Sequence, residues 1–244
     1  MSGEYDMRRR LIAYGGAMTE SNGTILAEEL LLICHDPVTG RPLADANRVQ
    51  VALAGALLAD LALADRIRVD ERGYVYGLHP APSGDPDLDA LAQRIAMEQR
   101  HRKLTWWVHK TMSNKIRTGL LHRVAYRGLM RHEQDQVLGI FPRNRYRPAD
   151  PAAHAWRRER MRAVLVAERA PDPGTVALLA LAGAMRVDGK LFPELPRPQR
   201  RWLMKAVVEN DGIGQVVRKV IQSVEASTIA VMGAVVVAGA AGGS

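Results

Sequence analysis

Between Val49 and Ala64 the chain is apolar on nearly every side of a helix: Leu53, Ala56, Leu57, Ala59, Leu61 and Leu63 leave no polar stripe to face water. Such a helix has no stable seat on a surface and must run through the middle of a core, with other elements wrapped round it. A length of 244 residues supplies that wrapping within one domain, whereas two domains would both be small. Only 5% of residues are aromatic while Ala, Leu and Val abound, which favours helices packed through small and aliphatic side chains over a β-sandwich. The expected fold is mainly α: a single globular helical domain over residues 24–244, built around the central hydrophobic helix, with two short β-hairpins. A flexible arm at residues 1–23 precedes it, marked by Gly15-Gly16, Ser21-Asn22-Gly23 and the lack of any period.

Local signals place the remaining elements. Thr24 opens a helix that runs through Leu30–Ile33 and stops at the turn cluster His35–Gly40, with Pro37 and Gly40 in breaking positions. Asp45 or Asn47 caps the central helix. Arg66–Asp70 alternates polar and apolar, turns at Glu71-Arg72-Gly73 and continues into Tyr74-Val75-Tyr76, the first hairpin. Leu88, Leu91 and Ile95 mark a helix over Asp87–Glu98, and two more follow at Leu104–Asn114 and Ile116–Arg127, the last closed by Gly128. Val137–Phe141, a turn at Pro142-Arg143-Asn144 and then Arg145-Tyr146-Arg147 read as the second hairpin. Helices are expected at Pro151–Arg169, Thr175–Met185, Pro198–Asn210 and Gly214–Gln222. Ala226–Ser244 carries no charge; its Ala, Gly and Ser content, without flanking Lys/Arg or an aromatic belt, reads as a buried C-terminal helix rather than a membrane anchor.

Charge is the second constraint. The net charge is +8, but from Arg94 to Arg147 thirteen Lys/Arg stand against Glu98, Glu133 and Asp135, a local net of +10 that leaves the rest of the chain at −2. A basic region this concentrated calls for an anionic partner: a phospholipid surface, a nucleic acid or a phosphorylated ligand. The single cysteine, Cys34, lies in an apolar run and reads as a buried inert thiol, which fits a reducing, cytoplasmic compartment. No apolar stretch follows Arg8-Arg9-Arg10, so no signal peptide is expected.

Catalytic patterns are missing. No Gly-rich loop precedes Lys-Ser/Thr, no GxGxxG follows a strand, and no GxSxG elbow or HExxH pair occurs. Glu28-Glu29 is the one adjacent acidic pair that stands out, and a first-turn role with the helix dipole accounts for it. The expectation is a protein that is not an enzyme, with no metal site and no cofactor. An anion site is instead expected where Lys103, Lys110, Asn114 and Arg117 fall at helical spacing on one face. The helix start after Pro42-Leu43 would add backbone N–H groups, and Arg48 would reach the same area. Trp106-Trp107 beside that face reads as core packing rather than interfacial anchoring. Ile140 and Phe141, with Tyr146 at a hairpin tip flanked by Arg143, Arg145 and Arg147, suit either an anionic surface or a self-association contact.

Several ordered segments resemble the Golgi phosphoprotein 3-like family. Glu28-Glu29-Leu30-Leu31-Leu32-Ile33 followed by Asp36-Pro37-Val38-Thr39-Gly40 is similar to its opening helix and turn, and Gly55 to Ile67 to its central helix and exit. Leu120–Met130 and Gly139-Ile140-Phe141-Pro142 look like the surroundings of its β-hairpin, and Thr175–Ala182 like a late core helix. The set covers residues 24–240, and the arginine- and alanine-heavy usage points to a bacterial member. The resemblance implies a helical domain that binds phosphatidylinositol 4-phosphate at a membrane surface through one Trp and three Arg, with a hairpin used in self-association. Here the Trp position falls at Asp45, the first Arg at Ala54 and the second at Asn114; the third matches Arg117. The implied role is a cytoplasmic, peripherally membrane-associated binder of anionic head groups, and homo-oligomerisation through residues 137–147 follows from the same likeness. A non-specific nucleic-acid binder and a protein-interaction adaptor stand as the alternatives.

Overall fold

The computed structural model describes residues 23–78, 82–137, 141–209 and 215–241; nearly all of the arm expected at residues 1–23, Ile140, and the side chains of residues 135–137, 141–143 and 232–241 lie outside the described set. Leu26–Ile33 forms α1 and Ala46–Leu63 forms α2. Twelve of the eighteen residues of α2 are buried, on every side of the helix, so by length and apolar character it could cross a membrane yet lies inside the protein. Wrapped round it are α1, α3 (Pro86–Met97), α4 (Leu104–Thr111), α5 (Asn114–Tyr126), α7 (Pro173–Ala184) and α10 (Gln215–Ala241). The fold is mainly α, as expected.

Helix starts follow a repeated rule. Asp85, Asp150 and Asp172 cap α3, α6 (Pro151–Leu165) and α7, and each is followed by proline at the first helical position, where a missing N–H costs nothing. Asp45 caps α2 by accepting from the Arg48 N–H at 3.0 Å, which decides between it and Asn47. Asp188–Leu191 is the single turn α8 and Arg197–Glu209 is α9. The α6 helix ends four residues short of Arg169, because the backbone turns left-handed at Ala167 (φ 62°).

The two hairpins differ from their sequence reading. Strands β1 (Ile67–Val69) and β2 (Tyr74–Gly77) pair antiparallel, and Arg102–Lys103 adds β3 to form a three-stranded sheet. The second hairpin is long: β4 (Met130–Val137) pairs with β5 (Phe141–Pro148) in register from Met130↔Pro148 to Val137↔Phe141. Pro142, Arg143 and Asn144, expected as the turn, therefore lie within β5. Met130–Val137 has almost no apolar alternation, so nothing local announced it as a strand.

Helix α10 is continuous where two segments were expected, at Gly214–Gln222 and in the tail. Val217, Val220, Ile221, Val224 and Thr228 form a buried stripe at helical spacing, facing α2, α4 and α7. Past that stripe Ile229 is 65% exposed. Whether the tail is buried beyond Val231 falls outside the described side chains.

A charge network locks the start of α1. Asp60 of α2 accepts the Leu26 N–H at 2.9 Å, and burial holds its carboxyl well above the ordinary range. Glu28, fully buried, is paired with Arg127 at 2.6 Å and Arg123 at 2.8 Å, and Arg123 continues to Asp85 and Asp87 at 3.1 and 3.0 Å. Glu28 thus joins α1, α3 and α5, a larger role than a first-turn dipole partner.

A smaller pair ties β1 to α3. The Ser83 backbone N–H, the Ser83 hydroxyl and Arg66 Nη1 at 2.6 Å all donate to Asp89, holding its pKa down at about 2. A depressed folded-state pKa stabilises the fold above the unfolded value near 3.8 and loses that contribution as pH falls through 2. In urea titrations across that window, Asp89→Asn should flatten the acid limb of stability relative to wild type. An unchanged slope would show that these bonds do not persist in solution.

Candidate functional site

The basic surface begins with a rigid turn. Asp36 Oδ1 accepts the Val38 and Thr39 N–H groups at 3.1 and 2.6 Å, and the Gly40 N–H returns to the Asp36 carbonyl at 2.9 Å. Gly40 has φ 64°, and a Cβ there would meet Arg147 Cγ at 2.8 Å, so only glycine lets the turn lie against β5. The Tyr146 N–H donates to the Gly40 carbonyl across this contact at 3.4 Å.

Behind the turn lies a run of rings. Buried Tyr146 stacks on His132 (4.7 Å between centroids, 9° between planes) and meets the buried His35 edge-on at 6.4 Å. His132 continues to His122 at 6.1 Å. Tyr146 is therefore anchored toward the hairpin base, opposite His132, and not at the tip where the sequence reading put it. Burial lowers the His35 pKa, the Leu31 carbonyl opposes this, and the Arg117 charge adds to the lowering. Burial raises the Tyr146 phenol against the same arginine.

Arg117 sits in the first turn of α5. Its Nε and Nη2 donate to Asn114 Oδ1 at 3.2 and 2.8 Å, so Asn114 positions the guanidinium over its own helix start. Ser113 caps α5 by accepting the Ile116 N–H, and no acidic residue lies in that first turn. Lys115 is exposed in the same turn, and Arg131 is exposed at the start of β4. Across the hairpin Arg131 faces Arg147 and Glu133 faces Arg145, with Arg147 paired to Glu133 at 3.4 Å.

The structure joins Asn114 and Arg117 with His35 and Tyr146, but separates them from Lys110. Ser113 is extended (φ −157°, ψ 150°), so the chain breaks between α4 and α5 and the expected single face of Lys103, Lys110, Asn114 and Arg117 does not exist. Lys110 lies over the Trp106 ring at 5.9 Å, where Arg102 also stacks at 4.8 Å, and Lys103 of β3 lies over Tyr74 of β2. Trp107 is core, as expected, whereas Trp106 is half-buried beneath two cations. Arg48 is paired to Asp45 at 3.1 Å in the first turn of α2. Ala54 is 1% exposed and closes off any contact with a surface ligand. Phe141 and Arg143 lie in β5 with their side chains outside the described set, Arg145 is half-buried beside Gly40, and Ile140 is outside it altogether. The contributions of His35 and of His132, stacked on Tyr146, were not visible in sequence, because only tertiary packing and strand register bring them together.

No match is found among curated proteins. The profile of the Golgi phosphoprotein 3 (GPP34) family matches residues 26–224, from the first residue of α1 to Val224 of α10, and takes in the central helix and both sheets. With about four-fifths of its length and every element of its core inside that match, the chain belongs to the Golgi phosphoprotein 3 family.

Proposed function

We propose that this chain is a non-enzymatic peripheral membrane protein that binds anionic phospholipid head groups through the surface formed by the α5 start, the 36–40 turn and the β4–β5 hairpin. The supporting observation is Arg117, set by Asn114 at a helix start without acidic residues, with the exposed Lys115 in the same first turn. Backbone N–H groups and cations at a helix start suit a phosphate. Family membership points the same way. Preference for phosphatidylinositol 4-phosphate should be slight: Asp45 is engaged as a cap, Ala54 is buried and Asn114 is engaged with Arg117. The β4–β5 ribbon pairs with no other strand among the described residues; the 36–40 turn covers part of the β5 edge, which leaves the β4 edge for self-association or membrane contact.

Co-sedimentation with phosphatidylcholine vesicles, with and without phosphatidylserine or phosphatidylinositol 4-phosphate, tests this reading. One cation near an anionic surface is worth about 1 kcal/mol, so the two-charge change Arg117→Glu should weaken binding roughly thirtyfold. Physiological salt should weaken wild-type binding in the same direction. Unchanged vesicle binding by Arg117→Glu, or tight binding to duplex DNA with none to vesicles, would remove the proposal.

A further inference from the structure

We infer that α9 is a second membrane-contact element, a basic amphipathic helix that lays Trp202 into an anionic lipid surface; the inference stands on α9 itself and does not rest on the Arg117 surface. None of the thirteen residues of α9 is buried. Its inner side is held by Leu203, Met204, Val207 and Val208, half-buried against the core, and by Arg200, which donates to Asp188 at 2.7 Å and to the Leu195 carbonyl at 2.8 Å. The opposite side carries Trp202, 68% exposed. The amphipathic ring of an exposed indole favours the boundary between head groups and acyl chains.

The charges beside Trp202 identify that partner. Arg197, Arg201 and Lys205 recur at every fourth position, so they form one exposed stripe along the helix next to the indole. Along the stripe the acid is Glu209 at the far end, in a loose exposed contact with Lys205 at 3.8 Å, while Glu168 across the groove is neutralised by its pair with Arg162. On the other flank, Trp202 and Ala206 form one wall of a groove of about 370 Å³ whose opposite wall includes Val164, Leu165 and Pro171. A cationic stripe, an exposed indole and an apolar recess in that order match the layers of an anionic bilayer surface: phosphates, interface, hydrocarbon. Lys190 of α8 donates to the Leu43 carbonyl at 2.6 Å, so α8 is fixed beside the start of α2, and α9 departs from the end of the core that carries Arg48.

The test uses vesicles of phosphatidylcholine and phosphatidylserine in equal parts, with brominated acyl chains that quench indoles at the interface. Wild-type emission should fall on mixing, and most of that quenching should vanish in Trp202→Phe, which keeps the wild-type Tm because the position is exposed. Arg201→Ala with Lys205→Ala should weaken binding on the order of thirtyfold. Equal quenching of wild type and Trp202→Phe, or unchanged vesicle affinity of the double variant, overturns the inference. Loss of binding in the α9 variants with none in Arg117→Glu upholds it while removing the Arg117 reading; the reverse pattern does the opposite.

Discussion

Arg123→Ala combined with Arg127→Ala is expected to lower the unfolding free energy by about 3–5 kcal/mol, the cost of leaving a buried charge without its partners. Glu28 is the reason. Its carboxylate is fully buried in the first turn of α1, and its ion-pair partners in the structure are these two arginines, at 2.8 and 2.6 Å. The arginines are themselves a fifth to a third exposed and would return to water when free; the carboxylate would not. Asp60, Asp85 and Asp87 close by add unfavourable negative charge once Arg123 is gone. For a domain of this size the loss corresponds to a Tm drop of roughly 10–15 °C. Adding Glu28→Leu to the double variant should recover much of it, since an apolar residue of similar volume needs no partner. A double variant as stable as wild type would mean that Glu28 is neutral or hydrated in solution.

Gly55→Ala should also destabilise, by about 1–3 kcal/mol, although alanine is normally the better helix former by ~1 kcal/mol. A Cβ at position 55 would stand 2.2 Å from Val224 Cγ2 and 3.2 Å from Leu181 Cδ2, against an optimum of about 3.5–4.0 Å. Val224 is stiff at χ1, and both neighbours are completely buried, so the methyl has nowhere to go. Gly55→Leu should fail to accumulate as folded protein. Val224→Ala opens space on the facing helix, so the pair Gly55→Ala/Val224→Ala should be more stable than the two single losses summed. Thermal melts of the four proteins decide it. A Gly55→Ala variant with a raised Tm would show that α10 does not seat against α2 as described.

The central helix was legible because its signal is composition repeated over sixteen residues, which no local detail can reverse. The 36–40 turn was legible for a different reason: Asp36 and Gly40 satisfy or relax their own backbone and need no distant partner. The break between α4 and α5 was legible to within two residues, as helices expected at Leu104–Asn114 and Ile116–Arg127, but its consequence, that Lys110 no longer shares a face with Arg117, was missed. Strand β4 was missed. Its residues are polar, and they are extended because β5 pairs with them.

The candidate site divides in the same way. The expectation of an anionic partner came from the charge between Arg94 and Arg147, and Arg117 was singled out on resemblance. Which cations share a surface did not follow: Lys110 went to Trp106, while His35 and Tyr146, far apart in the chain, came to Arg117. Trp202 shows the limit most plainly, since an indole in a helical run reads as core until its neighbours are in place. The sequence by itself determined the helical class, the buried position of α2 and the concentration of positive charge between Arg94 and Arg147, because these depend on periodicity and sums along the chain. Tertiary structure alone decided the Glu28 network, the Gly55–Val224 contact and the outward face of α9. Each of these depends on which long-range neighbour arrives within a few ångströms, and local energetics carry no record of that.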